Sequence, residues 1–158
     1  GLVTYADLVR YLKLKRTENW THQHTLRTEA VGHRTKSIIP DPTVQPWYRH
    51  ITSTNPKFFT TVNRVIIGHG NTPYFKHLMG KRATPYCLNC PNEQVADVDH
   101  LLNFCTASIA ARRSIYQQLG IELGTSIQDH LSYPFNQEDL NLIYSYVESI
   151  SDGGRSAI

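Results

Sequence analysis

A small, mostly α-helical fold is what the sequence predicts, and three observations carry it. Apolar residues recur at helical spacing in several stretches, and proline and glycine punctuate the intervals between them. Cys87, Cys90, His100 and Cys105 have the spacing of ligands for a single metal ion. The expected class is therefore a small helical domain stapled by one structural zinc site, with a short β-hairpin or turn at the Cys-x-x-Cys.

The elements follow in order. Thr4 and Asp7 form a capping box, after which Tyr5, Leu8, Val9 and Leu12 repeat at helical spacing. Arg10, Lys13, Lys15 and Arg16 lie on and around the other faces of that helix. The pattern resumes through Trp20 and Leu26, with Gly32 as the expected stop. Residues 33–55 hold Pro40, Pro42 and Pro46 among serines and threonines, which predicts an extended connector pinned to the core by Trp47 and Tyr48.

Asn55-Pro56 predicts a helix start, with Phe58, Phe59, Val62, Val65 and Ile66 as its apolar stripe and Gly68 and Gly70 at its end. Thr72-Pro73 predicts a short helix with Tyr74, Phe75 and Leu78 inward, closed by Gly80. Asp97 or Asp99 is expected to cap a helix containing Leu101, Leu102 and Phe104. Ile109, Ile115, Tyr116 and Leu119 continue helical to Gly120. A last helix is expected from Asn136, burying Leu140, Leu142, Ile143, Tyr146 and Val147, before a frayed tail over Ser151–Ile158. The expected organisation is a basic helix and Pro-rich connector over 1–55, a helical core with the metal loop (87–105) over 56–120, and a C-terminal helical segment over 121–158.

A length of 158 residues with 40% apolar and 18% charged residues is globular, neither disordered nor fibrous. No apolar run reaches the roughly 18 residues of a membrane span, and no signal segment opens the chain. The chain starts at Gly1 and its only methionine is Met79, so it reads as a fragment of a longer polypeptide. The net charge of +3 conceals a division: residues 1–82 carry 13 Lys/Arg against 4 Asp/Glu, and residues 83–158 carry 3 against 9. A basic half beside an acidic half points to a polyanionic partner, because phosphates neutralised by Lys and Arg release counterions. A solvated basic helix face with no partner is the competing reading.

All three cysteines lie between residues 87 and 105, and an odd count argues against a disulfide framework. Clustered cysteines with a nearby histidine fit a reducing compartment, and the expected location is intracellular, nucleus and/or cytoplasm. The pattern is Cys-x2-Cys-x9-His-x4-Cys. Two thiolates on a short turn converge on one ion, and three sulfurs with one imidazole complete a tetrahedron and leave no position for water or substrate. One structural Zn2+ is therefore expected. Three small buried cysteines beside a hydrogen-bonded histidine would be the bland alternative, but the spacing uses every cysteine of the chain.

Catalytic signals are thin. Zinc deaminases need His-x-Glu with Pro-Cys-x-x-Cys; here Tyr86 precedes Cys87, and His69-Gly70-Asn71 lacks the glutamate. Asp7, Glu18, Glu29 and Asp41 show no paired-carboxylate spacing, and there is no phosphate loop or nucleophile elbow. The expectation is no enzymatic activity in this segment.

Several residues together resemble a known family. They are Trp20, Pro46-Trp47, Arg64-Val65-Ile66-Ile67-Gly68-His69-Gly70, Phe75-Lys76-His77-Leu78, Cys87-Leu88-Asn89-Cys90 and Asp99-His100-Leu101-Leu102-Asn103-Phe104-Cys105. In this order they resemble the C-terminal zinc-knuckle region of non-LTR (LINE-type) retrotransposon polyproteins of the insect I and Jockey kind. The likeness covers roughly residues 20–120, with the Cys/His spacing its most specific part and Gly68-His69-Gly70 the next. Ile67 stands where the family usually has threonine, and Ala111-Arg112-Arg113 sits where its Arg-bearing helix begins. The resemblance implies a non-catalytic nucleic-acid-binding module of a reverse transcriptase polyprotein. Such a module would help hold element RNA or target DNA during target-primed reverse transcription, beside the polyprotein's other domains and away from membranes.

Two basic regions are candidate contacts: Arg10, Lys13, Lys15 and Arg16, continuing to Arg27, Arg34 and Lys36; and Arg64, His69, Lys76, His77, Lys81 and Arg82. Phosphate contacts from these would give affinity without sequence choice. Trp20, Tyr48, Tyr74 and Tyr86 are candidates to stack on unpaired bases, with core packing the competing role for each. A zinc-stabilised protein-interaction module is the alternative function.

Overall fold

The computed structural model describes residues 3–27, 33–152, 155–156 and 158. The chain is mostly helical: α1 (Tyr5–Arg27), α2 (His33–Ile38), α3 (Pro56–Ile67), α4 (Pro73–Leu78), α5 (Ile109–Leu119), α6 (Ile127–His130) and α7 (Gln137–Ser149). A 3-10 turn occupies Trp47–His50. Among the described residues no helix is long and apolar enough to cross a membrane.

Local chemistry sets most boundaries. The Asp7 carboxylate accepts from the Thr4 N–H at 3.0 Å while the Thr4 hydroxyl accepts from the Asp7 N–H at 3.2 Å, closing the expected capping box at the head of α1. The Asn55 side chain accepts from the Lys57 N–H at 3.0 Å, with Pro56 as the first helical residue of α3. Gly68 ends α3 at φ +68°, a left-handed conformation that costs glycine nothing, and Gly120 does the same for α5. Asn136 caps α7 through the N–H of Glu138 at 2.7 Å. The expected stop at Gly32 lies outside the described residues.

Among the described residues one core runs from Ile38 to Ile158. It holds Phe58, Val62, Val65 and Ile66 of α3, Ile115 and Tyr116 of α5, and Leu140, Ile143, Tyr146 and Val147 of α7. Helix α7 packs on both α3 and α5, and α2 packs on α3 and α6. None of these core residues comes from α1. Its Tyr5, Leu8, Tyr11, Leu12 and Leu14 are all exposed, so the apolar spacing that predicts this helix does not mark a buried face.

Several expectations need correction. The stretch 33–55 is not extended throughout, because α2 forms within it and buries Ile38 against the core. Trp47 pins the connector as expected, buried and donating its indole N–H to Asn63 at 2.9 Å, whereas Tyr48 is 53% exposed. On α4, Phe75 is half-buried but Tyr74 and Leu78 face outward, Leu78 at 61% exposure. A helix of six residues has room for one buried face, and Pro73 takes much of it. Phe104 is exposed while Leu101 and Leu102 are buried. Helix α6, which the periodicity does not reveal, buries Ile127 and Gln128 completely.

The described residues of the tail are not frayed, while 153–154 and 157 lie outside the described residues. Ser151–Asp152 pairs antiparallel with Arg155–Ser156, and Ile158 is buried against Gly70. A Cβ on Gly70 would stand 3.2 Å from Ile158 Cγ2 and 3.3 Å from its carbonyl carbon, so the second glycine of Gly68-His69-Gly70 makes room for the tail.

Candidate metal centre

The site begins with a tight reversal of the chain after α4. Tyr86 and Val95 form one antiparallel bridge, flanked by the Cys87 N–H donating to Gln94 at 2.8 Å and the Ala96 N–H donating to Pro85 at 2.9 Å. Asn92 and Glu93 turn the chain between them at φ +65° and +49°. One bridge and a turn stand where a short hairpin is expected, because the intervening residues curl to carry Cys87 and Cys90 instead of extending into strands.

The other two donors come from an unusual turn. His100–Phe104 is a π-helical turn, closed by the Cys105 N–H donating to the His100 carbonyl at 2.8 Å. In an α-helix, residues five apart point about 140° away from each other, since each residue advances about 100°. The wider i→i+5 turn brings His100 and Cys105 back to one side. Asp97 supplies the cap, its carboxylate accepting from the His100 N–H at 2.8 Å.

These elements bring Cys87, Cys90, His100 and Cys105 together, all four donor atoms lying within 4.8 Å of one another. The Sγ atoms of Cys87 and Cys105 are 3.8 Å apart and those of Cys90 and Cys105 3.9 Å apart, far beyond the roughly 2.05 Å of a disulfide. His100 Nε2 is buried and has no hydrogen-bond partner among the described residues. A buried imidazole nitrogen without a partner is costly unless it ligates something. The cluster could hold one metal ion.

The electrostatics agree. Burial pushes the Cys105 thiol up to about 11, with the neighbouring Cys87 adding to the rise. For Cys90 burial works in the same direction, but hydrogen bonds from Thr106, including its N–H at 3.3 Å, outweigh it and hold the thiol below the ordinary value. Burial holds His100 below the usual imidazole range, helped by the Arg112 guanidinium, so the ring is neutral and able to ligate. Three sulfurs this close cannot all ionise without a cation among them.

Residues outside the donor set hold it in shape. Arg112 donates to the Cys105 carbonyl at 2.9 Å and Tyr146 to the Leu102 carbonyl at 2.7 Å, so α5 and α7 both grip the π turn. Asn103, buried between two of the donors, donates to Asp99 and Gln128 and accepts from the Ile127 N–H at 2.9 Å. Arg34 of α2 reaches Asp99 at 3.7 Å and packs over Gly68. Sequence reasoning missed Thr106, Asn103 and Gln128; the one available signal was a threonine directly after the last cysteine.

The nucleic-acid candidates fall into groups. Arg10, Lys13, Lys15 and Arg16 are all exposed on α1, Lys15 pairing with Glu18 at 2.8 Å. Arg64 is half-buried and donates to the Ile158 carbonyl at 3.1 Å. His69 is exposed, its ring edge-on to Phe75 at 4.3 Å. Lys76, His77 and Arg82 are half-buried, with His77 Nδ1 3.0 Å from the Arg82 carbonyl, and Lys81 is exposed. Tyr86 is half-buried at the bridge beside Cys87, and Trp20 is 54% exposed.

No protein-family model, curated protein or solved structure matches the chain.

Proposed function

We propose that the chain is a zinc-stapled, non-catalytic nucleic-acid-binding domain of a retrotransposon-type reverse transcriptase polyprotein, engaging element RNA, target DNA or both. Zinc suits the donor set because Zn–S bonds of about 2.3 Å at tetrahedral angles place sulfurs about 3.8 Å apart. The sulfur separations of 3.8 and 3.9 Å meet that requirement. Four protein donors leave the ion no open position, which favours a structural role over a catalytic one.

The observation that carries the binding role is α1. It is a 23-residue helix none of whose described residues joins the core, and it displays Arg10, Lys13, Lys15 and Arg16 to solvent. The metal loop itself carries Glu93, Asp97 and Asp99 around three thiolates, so phosphate belongs on the basic segments and not on the knuckle. The polyprotein context rests on the family resemblance of the Cys/His spacing and Gly68-His69-Gly70.

The test is binding of the zinc-loaded chain to single-stranded RNA, structured RNA and duplex DNA at low and at physiological salt. A binder that neutralises several phosphates loses affinity along a log–log line of slope about −0.7 to −0.9 per phosphate. If no oligonucleotide binds at low salt, the protein-interaction reading takes its place. The exposed Tyr5, Leu8 and Leu12 on one side of α1 are the observation that favours that second reading.

A further inference from the structure

Helix α1 meets the rest of the protein at the proline connector, and the contact leaves a cleft. Trp20 and His24 of α1 line it with Ile39, Pro42, Pro46 and Trp47, enclosing about 340 Å3. A second hollow adjoins it, lined by Arg16, Thr17, Trp20, Pro42 and Thr43. Trp20 and Pro42 are common to both. The Trp20 indole N–H donates to the Pro42 carbonyl at 3.2 Å, so the ring is held in place although the side chain is 54% exposed. The His24 ring lies 6.3 Å from it, tilted by 47°, and leaves the indole about half exposed. A large aromatic fixed at its edge and half exposed costs apolar hydration unless something flat covers it.

We propose that this cleft is a subsite for one unpaired nucleotide of a single-stranded nucleic acid, its base stacked on the Trp20 indole and its phosphate on Arg16. The inference rests on the nucleic-acid reading above and gives it a location. Arg16 lies four residues before Trp20, one helical turn away, and lines the hollow that continues the cleft. With Arg10 and Lys13 it has no acidic partner among the described residues, while Lys15 is occupied by Glu18.

Charge also gives the site a direction. Asp41 lines the first hollow and not the second. Hydrogen bonds from the Thr43 hydroxyl at 2.6 Å and N–H at 2.8 Å hold its carboxylate ionised, below the usual range. Phosphate is repelled there and attracted at Arg16, so the backbone leaves the cleft toward the N-terminal half of α1. Stacking is available only to a splayed, unpaired base, which selects single strands over duplex.

The chain offers its own probe, since both of its tryptophans, Trp20 and the more buried Trp47, line this cleft. The zinc-loaded chain is titrated with single-stranded oligothymidine of about 12 nucleotides, within the usual site sizes for one binding fold. A duplex of matched charge is the control, with affinity read independently from the anisotropy of labelled oligonucleotide. Saturable quenching by the single strand and not by the duplex is expected. Trp20→Ala should weaken single-strand binding ~5- to ~150-fold, as loss of one base stack does, and Trp20→Phe should keep most of it. Arg16→Ala should lower the salt slope by about one.

Unchanged affinity in Trp20→Ala, with zinc content and helicity intact, would sink the subsite but leave nucleic-acid binding standing. Failure of every oligonucleotide to bind at low salt would remove both. If Trp20→Ala does not fold, Trp20→Phe and Arg16→Ala decide: full slope in the latter overturns the proposal. Quenching by oligoproline but not by oligothymidine would make the cleft a peptide groove and overturn it too.

Discussion

Helix α1 and the metal knuckle are built on opposite principles. The knuckle, residues 87–105, is short and irregular, and its shape comes from distant parts of the chain: Arg112 holds one carbonyl, Tyr146 another, and Asn103 is fixed by α6. Helix α1 is long and regular, and its shape comes from itself, through the Thr4–Asp7 box and a run of residues with fair helix propensity. One region is specified by tertiary contacts and, on the reading proposed above, by a metal; the other is specified by its own sequence.

The largest effect that would break or sharpen this contrast is metal removal. Chelation, or Cys105→Ser, should lower the melting temperature sharply, since structural zinc contributes about 10–16 kcal/mol of apparent binding free energy in small zinc domains. Circular dichroism should at the same time retain the signal of α1. Metal analysis should find zinc on the native chain in a one-to-one ratio. Loss of α1 together with the knuckle would erase the contrast.

The pH dependence has a definite sign. The Cys105 proton, held to about 11 without metal, must leave for zinc to bind, so zinc affinity falls as pH falls. In the metal-free chain His100 has a lowered pKa, so the unfolded state binds its proton first on acidification. Stability is therefore present above the ordinary imidazole pKa of about 6.5 and is lost as pH drops from there through the lowered folded value. A titration showing zinc held equally well across that range would contradict the thiol assignment.

A core substitution comes next. Leu102 is fully buried within the π turn, so Leu102→Ala should cost about 2–5 kcal/mol in denaturant unfolding and loosen zinc with it. The smallest effect belongs to α1. Thr4→Ala removes a cap worth about 0.5–2 kcal/mol, but only at that end of the helix. Faster amide exchange in the first turns with no change in the global melt is the expected result; a shift in the global melt would show that α1 is coupled to the core after all.

What was legible in the sequence follows the same division. The caps at Thr4, Asn55 and Asn136 and the stops at Gly68 and Gly120 are local chemistry, and a local reading finds them. The four donors were legible because metal geometry constrains spacing. The exposure of Leu78 and Tyr74 was not, because two turns of helix show no clear stripe and only the neighbours decide which face is covered. Helix α6 escaped for a related reason: Gln128 is a polar residue buried by its bonds to Asn103 and Ser126, and no periodicity announces it. The docking of Ile158 depends on Gly70, far away in sequence, and on the Arg64 hydrogen bond to its carbonyl.

Asn103 has a thermodynamic consequence. It lies between His100 and Cys105, and the same amide holds the first residue of α6. Loading of the proposed ion and the seating of α6 therefore share one residue and would form coupled equilibria. Coupling of this kind is reciprocal. Any partner that pulled α6 from its seat would weaken the hold on the ion by the same factor by which losing the ion frees α6, and occupancy of the knuckle would report on contacts made elsewhere on the chain.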